Sequence, residues 1–349
     1  MTINQKVLPD YAIFHSDCVL VMKDMPDNSV GFTVTSIPFS SLYSYTDAKE
    51  DMGNVRTDEE FWEGMSYMLT ELYRITKPGR LVATHCMDLP STLERDGYIG
   101  LRDFSGDVIR NYCKQGFHYH SKVTIWKDPL VAATRTHAVG LAHKELVKDS
   151  AISRQGIADY LIVVRKPGRN PDPISHLPSG LMRWIGPPEG EPKAEKRSNP
   201  ALNKYSHYVW QRYASPVWMD IDPSDTLQFR SAREDDDSRH ICPLQLTVIR
   251  RAMELWSKPM DTVFDPFSGI GSVGYVALQE NRRYVGCELK ESYYKQSIRN
   301  LNSVLESRSQ DMLELHDDPN ITNDDWSFMD VPVPALDGPQ PLDSTTTPE

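Results

Sequence analysis

Two short stretches of the 349-residue chain carry residue types whose spacing can do chemistry. The first is Asp265-Pro266-Phe267-Ser268-Gly269-Ile270-Gly271. It follows a short apolar run (Val263, Phe264) and precedes a helix-compatible segment from Ser272 to about Gln279; a second run, Tyr284 to Cys287, ends on Glu288. A strand, a glycine turn, a helix and a strand closed by an acid make a unit for an adenosine-type ligand. The glycines let backbone pass close to it, and the acid accepts hydrogen bonds from two ribose hydroxyls. Gly269-x-Gly271-x-x-Gly274 also satisfies the dinucleotide fingerprint, so this stretch alone leaves a nicotinamide cofactor and S-adenosylmethionine both open. The second stretch, Ser36-Ile37-Pro38-Phe39, ends a buried apolar run, Val30 to Thr35, at the place where ligand sites of open α/β sheets gather.

The elements that must position these stretches read as alternating strands and helices. Ala12 to His15 predicts a strand, Cys18 to Met25 a helix, and Val30 to Thr35 a strand. A helix is expected from about Thr57 to Thr76, with Phe61, Met65, Met68, Leu69, Leu72 and Tyr73 on one face and Thr57 with Glu60 as a capping box. Lys77-Pro78-Gly79-Arg80 reads as a turn into a strand, Leu81 to His85. A helix over about 104–114, a strand over 123–126, a long polar loop to Gly156 and a strand over 159–165 complete this half. Continuous apolar strands alternating with helices imply a buried, mostly parallel sheet. Residues 168–239 are rich in Pro, Gly and Asn, interleaved with Trp and Tyr, and read as an irregular or separate small region. The αβ pattern resumes with a helix over about 244–256, the glycine turn, and a last helix from Ser292 to about Leu305. The expected organisation is therefore 1–167, 168–239, 240–308 and an acidic, disordered tail, 309–349.

Composition narrows the partners. The net charge is −11, but residues 311–349 hold ten acids and no Lys or Arg, which leaves −1 on the rest of the chain. Arg165 to Arg212 holds nine basic residues against four acids, so a near-neutral body with a basic middle can bind nucleic acid locally. No apolar run reaches membrane-span length and no signal pattern opens the chain, so a cytoplasmic protein without membrane contact is expected. The five cysteines form no CxxC pair, which argues against disulfides and against a metal site. His15, His85, His118 and His120 read as ordinary strand-end or loop residues. Lys127-Asp128-Pro129 and the loop after it, including His143, Lys144 and Arg154, read equally as a phosphate-tracking or a plain solvated segment.

Together the two motifs resemble those of the DNA amino-methyltransferase family, which pairs a catalytic Asp/Asn/Ser-Pro-Pro-aromatic motif with a cofactor motif close to Asp-Pro-Phe-x-Gly-x-Gly. The catalytic motif comes first here and a variable region separates the two, an order similar to that of the circularly permuted beta class. The resemblance spans about residues 11–305. It implies a Rossmann-like S-adenosylmethionine-dependent methyltransferase fold: a mixed, mostly parallel sheet with helices on both faces, a target-recognition region within 168–239 and a base-flipping DNA substrate. By the same resemblance, Asp17, Cys242, Pro243, Asp265, Phe267, Ser268, Gly269, Gly271 and Glu288 hold the cofactor, with Asp17 at the adenine, Cys242-Pro243 at the methionine end and Glu288 at the ribose. Ser36, Ile37, Pro38 and Phe39 form the catalytic motif, with Phe39 stacking on the flipped base. Arg135, Arg183, Lys196, Arg197, Lys204 and Arg212 are candidate DNA contacts.

The chemistry explains these residue types. An exocyclic amino nitrogen is a poor nucleophile because its lone pair is delocalised into the ring. Acceptors at Ser36 Oγ and the Ile37 carbonyl would bind its two hydrogens and free that lone pair, which is positioning and electrostatic stabilisation without a covalent intermediate. Ile37 replaces the family's first proline, so the carbonyl survives and the fixed φ does not. Serine at the first position favours cytosine N4 over adenine N6 as the target, in the manner of restriction-modification methyltransferases. A homodimer is compatible with this reading. The competing readings are a catalytically degenerate cofactor- and DNA-binding protein and a nicotinamide-dependent oxidoreductase. The second leaves Ser36-Ile37-Pro38-Phe39 unexplained.

Overall fold

A computed structural model describes residues 3–39, 57–91, 93–136, 139–228 and 243–316. In chain order the strands are β1 (Asn4–Val7), β2 (Tyr11–His15), β3 (Val30–Ser36), β4 (Thr76–Met87), β5 (Leu89–Ser91), β6 (Gly100–Arg102), β7 (His118–Ile125), β8 (Asp159–Arg165), β9 (Val217–Trp218), β10 (Thr262–Asp265) and β11 (Arg283–Glu288). The helices are α1 (Cys18–Asp24), α2 (Asp58–Ile75), α3 (Leu93–Asp96), α4 (Phe104–Lys114), α5 (Pro129–Thr136), α6 (His143–Lys148), α7 (Lys204–Tyr213), α8 (Leu246–Trp256), α9 (Ser272–Gln279) and α10 (Glu291–His316).

Nine strands form one sheet in the order β1-β2-β11-β10-β3-β4-β8-β7-β9. The five central strands, β2, β11, β10, β3 and β4, are parallel; β8 runs against both β4 and β7, and β1 against β2. Period-two alternation sorts the strand side chains between two cores. Phe32, Val34, Ala83, Leu161 and Val263 pack under α8, α9 and α10, whereas Val30, Val82, Ile162 and Phe264 pack under α1, α2 and α4. Helices therefore cover both faces, as continuous apolar strands require.

Connectivity creates the site. From β10 the chain crosses through α9 to β11 on one side, and from β3 it crosses through α2 to β4 on the other. Adjacent strands whose crossovers diverge leave a crevice at their carboxyl ends. Both motifs lie there although 230 positions separate Thr35 from Asp265: Thr35 Oγ1 donates to Asp265 Oδ1 at 2.6 Å across the β3–β10 boundary.

Several expectations are refined. Thr57 caps α2 through Oγ1, which accepts from the Glu60 N–H at 3.2 Å. The anticipated turn at 77–80 lies inside β4, whose register against β3 shifts between Val30 and Phe32 while Gly79 takes a φ of +74°. The loop after β7 is more ordered than expected: Asp128 Oδ1 accepts from the Leu130 and Val131 N–H groups, so Asp128-Pro129 starts α5, and α6 follows. The last helix runs to His316 rather than stopping near Leu305, so the tail expected to be disordered from 309 begins as helix. Its Gln, Met, Leu and Glu residues are good helix formers, which the acidic composition masked. Residues 317–349 and 229–242 lie outside the described set.

The region after β8 is irregular as far as Lys204, but it is joined to the body. β9 pairs with the end of β7, and a small core of Leu181, Ile185, Tyr205, Val209 and Tyr213 packs against Leu255 of α8. Arg251 of α8 is the peg. Fully buried, it donates to the Ile185 carbonyl at 2.7 Å and to both Asp220 oxygens at 2.8 and 2.6 Å, ringed by Trp184, Tyr213 and Trp218.

Candidate active site

One side of the crevice is built by β10, its glycine turn and β11. Phe267 N–H donates to Asp265 Oδ1 at 3.1 Å, Ser268 N–H to the Cys287 carbonyl at 2.8 Å, and the buried Tyr284 hydroxyl to Ser268 Oγ at 2.7 Å. Gly271 has a φ of +85°, and a Cβ there would lie 2.6 Å from Ser297 Oγ, so only glycine fits. Gly269 has a φ of +54° and nothing within 4 Å of where a Cβ would stand, so its backbone faces open space. Glu288 ties the turn to the strand end: one carboxylate oxygen accepts from Gly269 N–H and the other from Lys290 N–H, both at 2.8 Å. An open glycine backbone beside a strand-end acid fits the ribose end of an adenosine-type cofactor.

Asp265 sits in an unusual environment for a carboxyl. Burial raises its pKa to about 7 even though the Thr35 hydroxyl and Phe267 N–H hold it down. Asp17 caps α1, its Oδ1 accepting from Val19 and Leu20 N–H at 2.9 and 3.1 Å. Pro243 lies just before α8, and Cys242 is outside the described residues.

On the other side of the crevice, Ser36 ends β3 half-buried, and Pro38 is buried. Ile37, at 2% exposure, anchors the motif in the α1–α2–α4 core, and its N–H donates to the His85 carbonyl at 3.4 Å. Proline cannot make that bond, so here a strand-type hydrogen bond does the orienting that a fixed φ would do in the expected Pro-Pro form. Phe39 packs edge-on against His85 and Phe104, with centroids 6.2 and 6.4 Å away.

The structure also brings in residues that sequence reasoning left as ordinary. His85 lies directly opposite Ser36 in the β3–β4 register, and its Nδ1 is 2.8 Å from Ser36 Oγ. His85 Nε2 stands 3.2 Å from Asp159 Oδ2, an ion-pair approach rather than a well-aimed hydrogen bond. Lys127 donates to Asp159 Oδ1 at 2.6 Å. Burial pushes the Asp159 carboxyl up, but His85 and Lys127 together outweigh it and hold the group below its ordinary range.

The candidate DNA contacts do not form one patch. Arg183 pairs with Glu280, just beyond the C-terminal end of α9 and ahead of β11, toward the amino ends of the strands and away from Ser36. Lys196 pairs with Glu191 at 3.6 Å and Arg197 with Glu195 at 2.6 Å. Lys204 and Arg212 are exposed on α7, one turn either side of exposed Tyr208, with no ion pair to a described residue. Arg135 lies on α5. A groove of about 1080 Å³ opens over α8, α9 and α10, and none of its lining residues belongs to β3, the glycine turn or β11. Among the described residues no group of three or more His, Cys, Asp or Glu side chains could hold a metal, and no helix is long and apolar enough to cross a membrane.

An open α/β sheet with a glycine turn, a strand-end acid and a polar-aromatic motif facing one crevice defines a Rossmann-like scaffold. The chain belongs to the DNA methylase family of N6/N4 amino-methyltransferases, whose model matches residues 30–299. It is 26% identical over 306 residues to the type II methyltransferase M.XycI of Xanthomonas campestris pv. cyanopsidis, covering 82% of this chain and 86% of that one. It is 25% identical over 304 residues to M.Cfr9I of Citrobacter freundii, covering 83% and 87%. Among solved structures, a DNA modification methylase from Thermus thermophilus in complex with S-adenosyl-L-methionine aligns with a TM-score of 0.55 at 19% identity, covering 83% of this chain and 92% of that one. The cytosine-N4-specific PvuII DNA methyltransferase aligns with a TM-score of 0.54 at 14% identity, covering 87% and 94%. These likenesses carry the fold, and family membership sets the oxidoreductase alternative aside.

Proposed function

We propose that this crevice transfers a methyl group from S-adenosylmethionine to the exocyclic amino nitrogen of a flipped DNA base, with cytosine N4 preferred over adenine N6. The observation that carries the reading is the junction of Ser36 with the glycine turn, stitched by Thr35 and Asp265 at the carboxyl ends of neighbouring strands. Asp265, Phe267, Ser268, Gly269, Gly271 and Glu288 would hold the cofactor, with Asp17 and Pro243 beside them. When bound, that cofactor supplies a methyl group on a sulfonium sulfur, which keeps the bond electrons. Ser36 Oγ and the Ile37 carbonyl accept the two amino hydrogens and turn the nitrogen lone pair outward. Phe39 offers its ring to the extruded base, which must leave the stack to reach the site. Serine at the head of the motif supports cytosine, and the N4-specific PvuII enzyme shares the fold. For DNA, the exposed Lys204–Tyr208–Arg212 stripe of α7 is the best-placed of the basic candidates, since β9 next to it pairs with the end of β7 on the crevice edge.

The test is incubation of the full chain with DNA and labelled S-adenosylmethionine, followed by digestion to nucleosides and mass spectrometry. N4-methylcytosine is expected. N6-methyladenine would overturn the base choice and keep the site. Ser36→Ala and Phe39→Ala should each cut turnover strongly with cofactor binding intact, and unchanged turnover in both would remove the site assignment. An unlabelled product on both duplex and single-stranded DNA, with cofactor still bound, would favour a binding-only protein.

A further inference from the structure

We propose that His85, held by Asp159 and Lys127, sets the proton on the Ser36 hydroxyl, so that Ser36 turns its lone pairs to the target amino group and relays the proton that group loses. The proposal rests on the reading of Ser36 as the amino-group acceptor.

With the His85 ring neutral, the chain of contacts has one consistent proton arrangement. Lys127 is a donor only and occupies Asp159 Oδ1 at 2.6 Å. Asp159 is 3% exposed, and its carboxylate, an acceptor only, turns Oδ2 to His85 Nε2 at 3.2 Å. That contact favours the imidazole tautomer with hydrogen on Nε2 and leaves Nδ1 bare. Ser36 Oγ, 2.8 Å from Nδ1, must then donate its own hydrogen to the ring. A lone serine hydroxyl rotates freely and can point its hydrogen at the amino group it should accept from. Here the rotor is fixed, and both oxygen lone pairs are left to accept from another donor.

The same line of contacts handles the proton. As the amino nitrogen's lone pair forms the new N–CH3 bond and the S–CH3 electrons remain on sulfur, one N–H proton passes to Ser36 Oγ. The hydroxyl's original proton moves to His85 Nδ1, leaving an imidazolium facing Asp159. His85 and Asp159 act through Ser36 and are positioning residues.

The test uses the full chain labelled with 15N-histidine and two-bond proton–nitrogen correlation at mildly alkaline pH, the His85 signal being assigned with His85→Gln. The wild type should show His85 neutral with hydrogen on Nε2. In Asp159→Asn the amide oxygen stays on Lys127, which forces the NH2 group onto Nε2, so the His85 proton should move to Nδ1. Turnover of that variant should fall in kcat by about 100-fold, the lower range for proton-transfer groups, with KM and cofactor affinity little changed. If Asp159→Asn does not fold, His85→Ala should lose turnover and regain it with added imidazole. An unchanged tautomer, or wild-type turnover in Asp159→Asn or His85→Ala, overturns the proposal. If Ser36→Ala itself remains active, the reading of Ser36 fails; if Ser36→Ala is inactive while Asp159→Asn is active, only the relay fails.

Discussion

Asp265 should make the free protein less stable as pH rises, and Asp265→Asn should remove that dependence. Its carboxyl titrates near 7 in the folded chain against an ordinary value of 3.8, with burial as the main cause. Between those values the native state holds a proton that the unfolded chain has released. The stability this contributes is present below pH 3.8 and is lost as pH rises through 7. At about 1.36 kcal/mol per unit, the whole shift is worth about 4 kcal/mol, and the part falling between about pH 5 and about pH 8 is about 2.5 kcal/mol. The amide introduced by Asp265→Asn keeps an oxygen for Thr35 and Phe267 but cannot ionise. Its own fixed cost cancels when each protein is compared with itself at two pH values. Urea unfolding of wild type and variant at both pH values, without cofactor, gives the two differences. The wild type should lose about 2.5 kcal/mol more than the variant on going to the higher pH. Equal losses would show that Asp265 is ionised throughout and that other contacts offset its burial.

Glu288→Gln leaves one acceptor oxygen where Gly269 and Lys290 N–H now use two. An orphaned N–H costs about 1–3 kcal/mol, so unfolding free energy in urea should fall by about that much. Arg251→Met strips the partner from Asp220 and should cost about 3–5 kcal/mol in unfolding free energy, with part recovered in the Arg251→Met/Asp220→Asn double variant. Lys204→Ala and Arg212→Ala should each lower the slope of log DNA affinity against log salt by about 1, while Arg183→Ala, already paired away from Ser36, should leave it unchanged.

The glycine turn, the Ser36 motif and the strands beneath them were legible because each is a local pattern: a continuous apolar run that ends in residues with special backbone or polar needs. Thr57 likewise announces the start of α2 through a short side chain that accepts from an N–H three residues on, whereas Asp17 and Asp128 cap helices in the same way without having been read as caps. His85, Asp159 and Lys127 were not legible as a set. They stand on or just past three different strands, and what joins them is the β4–β8 and β7–β8 register, which depends on pairing across the sheet. Arg183 misled for the opposite reason. Its composition suits DNA, but whether a cation is spoken for is decided by a glutamate 97 positions away.

The Arg251 peg has a bearing on protein engineering. Its guanidinium comes from the methyltransferase body, whereas the carboxylate, the carbonyl and all three surrounding rings come from residues 184–220. A segment transplanted here from a relative therefore has to bring its own socket: an acid at 220 and rings at 184, 213 and 218. A graft chosen by its outward-facing loops alone would strand a buried cation beside the helix that leads into the cofactor strand. Chimeras designed around that joint, with the graft boundaries placed outside 184–220, are the ones that should fold.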